Sequence, residues 1–321
     1  MKNVLFASTA MIVGFAGIAA ADVTISGNAE MGIFGVDSDD GVDTDTQFHN
    51  DVDVTFTMSG ETDGGLAFGT SVDLDEAGNL GDEEDNIGVA IFLSGAFGTV
   101  TLGDTDGALD WALTEVNFNS GSIRDDETEH DGWNGNAGLD GSGDDQVLRY
   151  DYTAGDFGFA VSAEQIDGTS GDLDGETLGI GFRYSADFGG VGLNLGLGYQ
   201  DTNVDGADAD AFGVSVNGST GAFTAGLSYV EVDSDAPGNS SFDHIGVGVG
   251  YSEGAISASA NYGLYDYDSG QEAEGFGLSA GYDLGGGASV QFGYGNSSDQ
   301  NDVRGNGGSR DTYSLGVRMN F

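Results

Sequence analysis

The chain has 321 residues, with 55 acidic and seven basic side chains, 59 glycines, one proline and no cysteine. Without cysteine there are no disulfides or thiolate metal sites, and a protein this acidic lacks the basic surface that nucleic-acid binding requires. The net charge of −48 favours cationic counterions or solutes, or a saline habitat in which an acidic surface stays solvated.

Residues 1–21 have the layout of a secretory signal: Lys2, an apolar stretch over 4–18 and small residues at 19–21. The apolar stretch is too short, and too often interrupted by Gly and Ser, to favour a spanning helix. We therefore expect this segment to be cleaved and residues 22–321 to form one exported domain. Because Lys2 is the only lysine, that domain would carry six arginines against the 55 acids.

Beyond the signal, apolar residues alternate with Gly, Ser, Thr, Asn or Asp, and this period of two predicts β-strands. The connections alternate between tight turns such as "SGAFG" and long acidic loops such as "DSDDGVDTDTQ". Seven turns and eight loops would join sixteen antiparallel strands, with both termini on the turn side. The predicted strands are 23–35, 48–60, 66–75, 86–94, 98–104, 146–154, 157–166, 176–186, 191–201, 210–219, 222–232, 242–252, 255–266, 274–284, 288–297 and 311–321.

The second and third strands form the hairpin "NDVDVTFTMSGETDGGLAFGTSVDLDE" at residues 50–76. Its apolar residues share one face, and four carboxylates occupy the other. A symmetric register would pair Asp51 with Asp75 and Asp53 with Asp73. Because like charges opposite one another destabilise a sheet, we expect this face to meet water and mobile cations.

An even number of up-and-down strands, with short turns at one end and long loops at the other, is typical of an outer-membrane barrel. The last strand, "TYSLGVRMNF", places apolar residues on one face and Arg318 and Asn320 on the other, as a lipid-facing exterior and a watery lumen require. A soluble β-sandwich would also alternate, but would not need strictly alternating connection lengths. We therefore predict an all-β fold: a 16-stranded antiparallel up-and-down transmembrane β-barrel, wide enough for an aqueous channel.

One connection, 104–145, is much longer than the rest, and such loops are usually functional or disordered. Its early part, "GALDWALTEV", could form a short helix. Backbone that lines a water-filled cavity need not avoid lipid, so we expect this third long loop to fold inward and set the constriction. Its nearer carboxylates are Asp104, Asp106, Asp110 and Glu115, and those further along, Asp125, Asp126, Glu127 and Glu129, could line the constriction or face the vestibule.

The charge and width of the lining decide which solutes pass through a pore. Acids on both wall and loop predict a cation-preferring channel, with few lumen bases. The side chains expected to line the wall are Asp51, Asp53, Asp73, Asp75, Arg149, Asp151 and Arg183, with Arg318 as a further lumen base.

Six segments carry a resemblance to a known family: "ADVTISGNAEMGIFG", "FTMSGETDGGLAFG", "IFLSGAFGTVTLGD", "LRYDYTAGDFGFAVS", "YDLGGGASV" and "SLGVRMNF". They resemble the general porins of the alphaproteobacterial, Rhodobacter-like type, over essentially all of 22–321. The resemblance implies a homotrimer of barrels in the lipid of a Gram-negative outer membrane, each a passive channel for small hydrophilic solutes. It also implies that Phe321 belongs to the signal read by the barrel-assembly machinery. Early wall positions that often carry Arg or Lys in this family are Asp in this chain.

No catalytic set is visible, and we expect no enzymatic activity. His49, His130 and His244 are isolated along the chain, and no serine has the context of a nucleophile elbow. A substrate-specific channel is the close alternative to a general one, and a non-channel surface barrel, acting as adhesin or anchor, is a more distant one.

The acidic loops offer hard oxygen ligands, for example in clusters within 37–40 and 83–85. Neither cluster has the full spacing of an EF-hand. We therefore expect no cofactor, and at most calcium bound weakly by these loops.

Overall fold

The computed structural model describes residues 22–38, 44–75, 87–118, 121–123, 130–140, 146–166, 175–204, 208–236, 241–299 and 308–321. Within these ranges the chain forms sixteen β-strands and one short helix. The strands are β1 (Asp22–Ser38), β2 (Thr44–Glu61), β3 (Ala67–Asp75), β4 (Ile87–Gly95), β5 (Gly98–Gly103), β6 (Val147–Ala154), β7 (Phe157–Ile166), β8 (Gly175–Asp187), β9 (Val191–Val204), β10 (Ala209–Thr220), β11 (Phe223–Ser234), β12 (Phe242–Glu253), β13 (Ile256–Tyr267), β14 (Glu272–Gly285), β15 (Ala288–Ser298) and β16 (Arg310–Asn320), and the helix is α1 (Ala108–Ala112), between β5 and β6.

The strands close into an antiparallel barrel in which each strand pairs with its neighbours in sequence and β1 pairs with β16. At the seam, Asn28 lies opposite Asn320 and Glu30 opposite Arg318. The sixteen-stranded up-and-down barrel predicted from the alternation is confirmed. The largest difference is at β2, which begins at Thr44 rather than at residue 48.

The two faces of the barrel have opposite polarity. Large apolar side chains such as Leu178, Phe182 and Leu197 lie exposed on the outer face, while Thr177 and Gln200 lie buried on the inner face. This inverse of a soluble protein is the arrangement expected of a barrel that lipid surrounds and water fills. In the described part of the chain, no helix is long and apolar enough to cross a membrane.

The turns at one end are tight, and they need residues that can adopt a left-handed backbone. Gly155, between β6 and β7, has φ 61°, and Gly254, between β12 and β13, has φ 63°. Only glycine adopts this conformation without steric cost. The short hairpin turns inferred from the sequence therefore have the local chemistry that they need.

Tyrosines near the loop ends of the strands point their hydroxyl groups toward carboxylates on the outer face. The Tyr229 hydroxyl donates to Asp243 at 2.5 Å, and the Tyr294 hydroxyl donates to Asp311 at 2.8 Å. An apolar ring with a hydrogen-bonded polar tip is the arrangement expected at a membrane–water interface.

The predicted register of the β2–β3 hairpin is wrong by two residues. Asp53 lies opposite Asp75, and Asp73 lies opposite Thr55. On its other side, β2 places Asp51 opposite Glu30 of β1. An offset of two preserves the face of every residue, so Asp51, Asp53 and Asp73 remain on the inner face. Across the hairpin, however, the two predicted pairs of carboxylates are replaced by one.

Candidate functional site: the constriction of the barrel

The long connection after β5 folds into the barrel, as expected. Its helix α1 packs against the inner faces of β7, β8 and β9, with Leu109 fully buried. Wall side chains accept hydrogen bonds from its backbone: the Ala108 N–H donates to Ser162 Oγ at 2.9 Å, and the Thr114 N–H donates to Ser215 Oγ at 3.0 Å. The wall therefore satisfies loop N–H groups that would otherwise be buried without partners.

We call residues 104–118 and 121–123 the first arm of the loop. Past α1 it follows the inner wall to the seam of the barrel. The side chain of Val116 lies over β11 and β12. Beyond it, Ser122 and Ser314 share a hydrogen bond of 3.3 Å, and Ile123 contacts the backbone of β1 and β16. The first arm thus runs along most of the inner circumference.

We call residues 130–140 the second arm, which lies against β12–β15 and returns to β9. The Gly132 N–H donates to Nδ1 of His130 at 3.2 Å, so the ring proton lies on Nε2, which donates to Asn261 Oδ1 at 2.6 Å. His244 Nε2 donates to the Gly132 carbonyl at 2.8 Å. Burial lowers the pKa of His130 to about 4, so this ring is neutral at physiological pH. The structure brings His130 and His244 together as supports of the second arm.

Asp140 joins the second arm to the first. The Gly107 N–H, at the start of α1, donates to Asp140 Oδ2 at 2.9 Å, and the Gln200 amide donates to Asp140 Oδ1. The Leu139 N–H in turn donates to Gln200 Oε1 at 2.8 Å. Burial raises the pKa of Asp140 to about 7, although both bonds to its carboxylate oppose that shift.

The acids of the first arm line a cavity of about 1650 Å³. Asp104, Asp106 and Glu115 are exposed to it, whereas Asp110 is half-buried. Burial, chiefly, and the neighbouring carboxylates of Asp106 and Glu115 raise the pKa of Asp110 to about 8. Three of these four acids are therefore exposed to the water of the cavity.

Of the two arginines of the same cavity, one is buried and the other is half-buried. Arg149 on β6 is buried; its Nη1 donates to the Asp106 carbonyl at 2.5 Å, and its Nε lies 3.5 Å from Asp151 Oδ1. Arg183 on β8 stacks on Trp111, with its guanidinium carbon 3.4 Å from the ring centroid. The exposed fraction of the side chain is 63% for Asp106 but 8% for Arg149, so the carboxylate rather than the guanidinium faces the solution.

Wall and loop carboxylates also meet in the cavity, over β4. Asp73 on β3 is exposed and accepts a hydrogen bond of 2.8 Å from Thr55 Oγ1. A Cβ built on Gly88 would lie 2.5 Å from Asp104 Oδ2 and 3.7 Å from the Cβ of Asp73, so both side chains lie over Gly88. The charged residues lining the cavity are Asp73, Asp104, Asp106, Asp110, Glu115 and Asp283, with Arg149 and Arg183.

Comparison with known proteins decides the family. A model of the Gram-negative porin family matches residues 7–321. The chain is 30% identical to the porin of Rhodobacter capsulatus over 294 residues, which cover 84% of this chain and 92% of that protein. The chain belongs to the Gram-negative porin family. Porins are channels rather than enzymes, and a barrel of this family lies in the outer membrane.

Two solved structures support the same fold. A porin structure that is 28% identical superposes with a TM-score of 0.71, covering 94% of this chain and all of the other. A structure described as the anion-selective porin from Comamonas acidovorans is 18% identical and superposes with a TM-score of 0.68 over the same shares. The second match concerns the fold alone.

The structure separates the predicted wall residues of this porin into two groups. Asp73, Arg149 and Arg183 line the cavity, and Asp151 lies buried behind Arg149. Asp51 and Asp53 lie further along the inner face of β2 and are not among the residues lining the cavity.

Those two acids have near neighbours on the wall. Asp53 Oδ2 accepts a bond of 2.6 Å from Asn28, and Asp51 lies opposite Glu30, which pairs with Arg318 at 2.8 Å. Asp75 is placed by its register opposite Asp53. Asp125, Asp126, Glu127 and Glu129 lie outside the described residues.

Two features of the porin were missed. One is Arg310 on β16, whose guanidinium lies 3.4 Å from the fully buried Asp131 and holds the second arm. The other is the set of glycines at inward positions of β8–β14, where the loop backbone approaches most closely. Their signal was present in the sequence, because these glycines recur with a period of two on the face that otherwise carries polar side chains.

Proposed function

We propose that this porin is a passive channel for small hydrophilic solutes and ions that prefers cations. The supporting observation is the unequal exposure of charge in the cavity. Asp73, Asp104 and Asp106 are exposed, whereas Arg149 is buried among carboxylates and Arg183 is stacked on an indole ring. A permeating ion therefore meets more negative than positive charge.

Electrostatics sets the size of this preference. A carboxylate about 7 Å from an ion in water-filled space stabilises a cation by about 0.6 kcal/mol and destabilises an anion equally, a factor of about seven between the two. Screening at an ionic strength of about 0.1 M, where the Debye length is about 10 Å, reduces this factor to about three. The field of Arg149 is offset by Asp106 and Asp151 within 4 Å. Since a barrel of the same fold is described as anion-selective, the proposal rests on these lining side chains and not on the fold.

We further infer that the porin assembles as a homotrimer in outer-membrane lipid after export through the periplasm. The segments that resemble trimeric porins support this assembly. Phe321, 81% exposed directly after β16, is available to the barrel-assembly machinery.

No cofactor is part of the proposal. Among the described residues, no group of three or more His, Asp or Glu side chains is arranged to hold a metal ion. Of the loop clusters considered for weak calcium binding, Asp37 is described, whereas residues 39–40 and 83–85 lie outside the described ranges. Weak calcium binding by these loops stays a proposal.

Reversal potentials across a KCl gradient in planar bilayers test the ion preference. We expect the sign that corresponds to K⁺ flux exceeding Cl⁻ flux, and anion preference or none would refute the proposal. Liposome swelling with sugars of graded size distinguishes a general channel, which gives a smooth decline with size, from a substrate-specific one. Absence of conductance from folded protein would indicate a non-channel barrel.

A further inference from the structure

We propose that the inward glycines of β8–β14 are positioning residues that set the aperture of the constriction, because they let both arms of the loop lie directly on the wall backbone. The proposal rests on the proposed channel function. It concerns how wide the passage is, whereas the lining carboxylates concern which ion passes.

The first arm contacts this glycine face most closely at three points, on β8, β9 and β12. A Cβ built on the glycine at each of these points would meet a backbone carbonyl oxygen of the arm. The distances are 2.0 Å from Gly181 to Ala108, 2.2 Å from Gly196 to Ala112 and 1.7 Å from Gly248 to Val116. Because the obstructing atoms are backbone, no rotamer change can relieve the clash.

The second arm uses the same device one strand further on. A Cβ on Gly263 of β13 would lie 1.8 Å from the Gly132 carbonyl oxygen, and one on Gly275 of β14 would lie 2.6 Å from His130 Nδ1. Two arms with unrelated sequences therefore depend on the same residue type in the wall.

Polar wall side chains on β7, β10, β13 and β15 provide independent evidence that the loop is held against the wall. Ser162 and Ser215 accept bonds from the first arm, and Ser297 accepts one from the Asp131 N–H at 3.0 Å. The Tyr265 hydroxyl donates to the Trp133 carbonyl at 3.1 Å. Glycine provides the room and these side chains provide the hydrogen bonds, which together fix the distance between arm and wall.

The expected displacement follows from ordinary contact distances. A carbon rarely approaches a carbonyl oxygen closer than roughly 3.3 Å, so alanine at position 248 must move the Val116 carbonyl by about 1.5 Å. The wall lies behind the arm and the cavity lies in front of it. We therefore expect the arm to move toward the cavity and the passage to narrow.

The test compares Gly248→Ala with Gly218→Ala in single-channel recordings and in liposome swelling with sugars. Gly218 is also a strand glycine, but a Cβ there would lie 3.9 Å from the Gly192 carbonyl oxygen, an ordinary van der Waals contact. We expect Gly248→Ala to conduct roughly one third less than the parent and to exclude smaller sugars, because width limits flux. Gly218→Ala should match the parent.

The two hypotheses fail in different ways. A parent channel without conductance would remove the proposed function itself. A conducting parent, together with a folded Gly248→Ala variant of the same conductance and sugar cut-off, would overturn only the role of the glycines.

A second measurement covers the case in which Gly248→Ala does not assemble. The chain has no cysteine, and Ser122 Oγ and Ser314 Oγ are 3.3 Å apart, so Ser122→Cys with Ser314→Cys can cross-link the first arm to the wall. We expect the disulfide to form in the folded barrel and the oxidised and reduced channels to conduct equally. Failure to cross-link, or a conductance that changes on oxidation, would contradict a loop held on the wall.

Discussion

The inner wall of this barrel carries different kinds of residue around β3 and β6 than it does on β8–β14. On β3 and β6 the inner face carries side chains that meet the solution or the loop charges, such as Asp73, Arg149 and Asp151. On β8–β14 many inner positions are glycine, and the loop covers them. Charge therefore governs the open side and close packing the covered side. A pore whose loop is seated by shape can change its lining charge without losing its constriction.

The largest expected effect comes from Arg149, which ties the open wall to the loop. Arg149→Gln leaves Asp151, whose side chain is only 10% exposed, without its counterion. Removing one partner of a buried ion pair costs about 3–5 kcal/mol. We expect the free energy of unfolding, measured with urea on the detergent-solubilised barrel, to fall by an amount in this range.

Two variants sharpen that result. Arg183→Gln loses a cation–π contact worth about 0.5–2 kcal/mol, so it should destabilise the barrel less. Arg149→Gln combined with Asp151→Asn should recover part of the loss, since the buried side chain that loses its partner is then neutral. Equal stability of the parent and the Arg149 variant would show that the open side does not depend on this pair.

A change of pH should act on two carboxyl groups of the loop, those of Asp110 and Asp140. Burial raises the pKa of Asp110 to about 8 and that of Asp140 to about 7, so both carboxyls bind protons in the folded state at a pH where the unfolded chain has lost them. Their contribution is therefore favourable in acid and is lost as pH rises from about 4 through these values.

Recordings at pH 6 and pH 9 test this sign. Ionisation of Asp110 should raise the K⁺/Cl⁻ permeability ratio by about threefold, from the screened Coulomb energy of one added charge near the passage. Current noise should also increase, because Asp140, which joins the two arms, loses its favourable contribution over the same range. His130, with its pKa near 4, stays neutral over this range. In Asp110→Asn the pH dependence should shrink; an undiminished dependence would place the titrating group elsewhere.

The smallest expected effect is that of one exposed wall carboxylate. Asp73→Asn should lower the K⁺/Cl⁻ ratio by at most about threefold, as one charge in water-filled space allows, with little change in conductance or stability. Glu176→Gln is the matched control, because that carboxylate lies on the outer face of β8. An Asp73 variant with the parent ratio, or a control that shifts equally, would argue against local selectivity at this wall.

The barrel could be predicted from the sequence because odd and even positions of a strand face opposite sides, so a barrel strand alternates polar and apolar side chains. Residues such as Leu197 and Gln200 differ in parity, and the structure places them on opposite faces. Register was not predictable in the same way, because it depends on turn geometry. Thr62 N–H donates to the Leu66 carbonyl at 2.9 Å, which centres the turn on Gly64 rather than Asp63 and moves every pair by two.

The constriction could be predicted only in part. The length of the loop indicated that it folds inward, and the acids of the first arm do line the cavity. Its path depends on contacts between residues far apart in sequence, such as Ser122 with Ser314, and no local pattern encodes these. The inward glycines were the available signal, but a glycine on the polar face of a strand looks the same whether water or backbone lies against it.

The first arm precedes in sequence almost everything on which it rests. Residues 104–123 are synthesised before β7–β16. The first arm ends at the seam with Ile123, whose Cδ1 would lie 2.6 Å from a Cβ built on Gly32 of β1 and 2.7 Å from one on Gly316 of β16. A site made of the first and last strands exists only once they have paired. The first arm therefore cannot complete its contacts with the wall before the barrel closes.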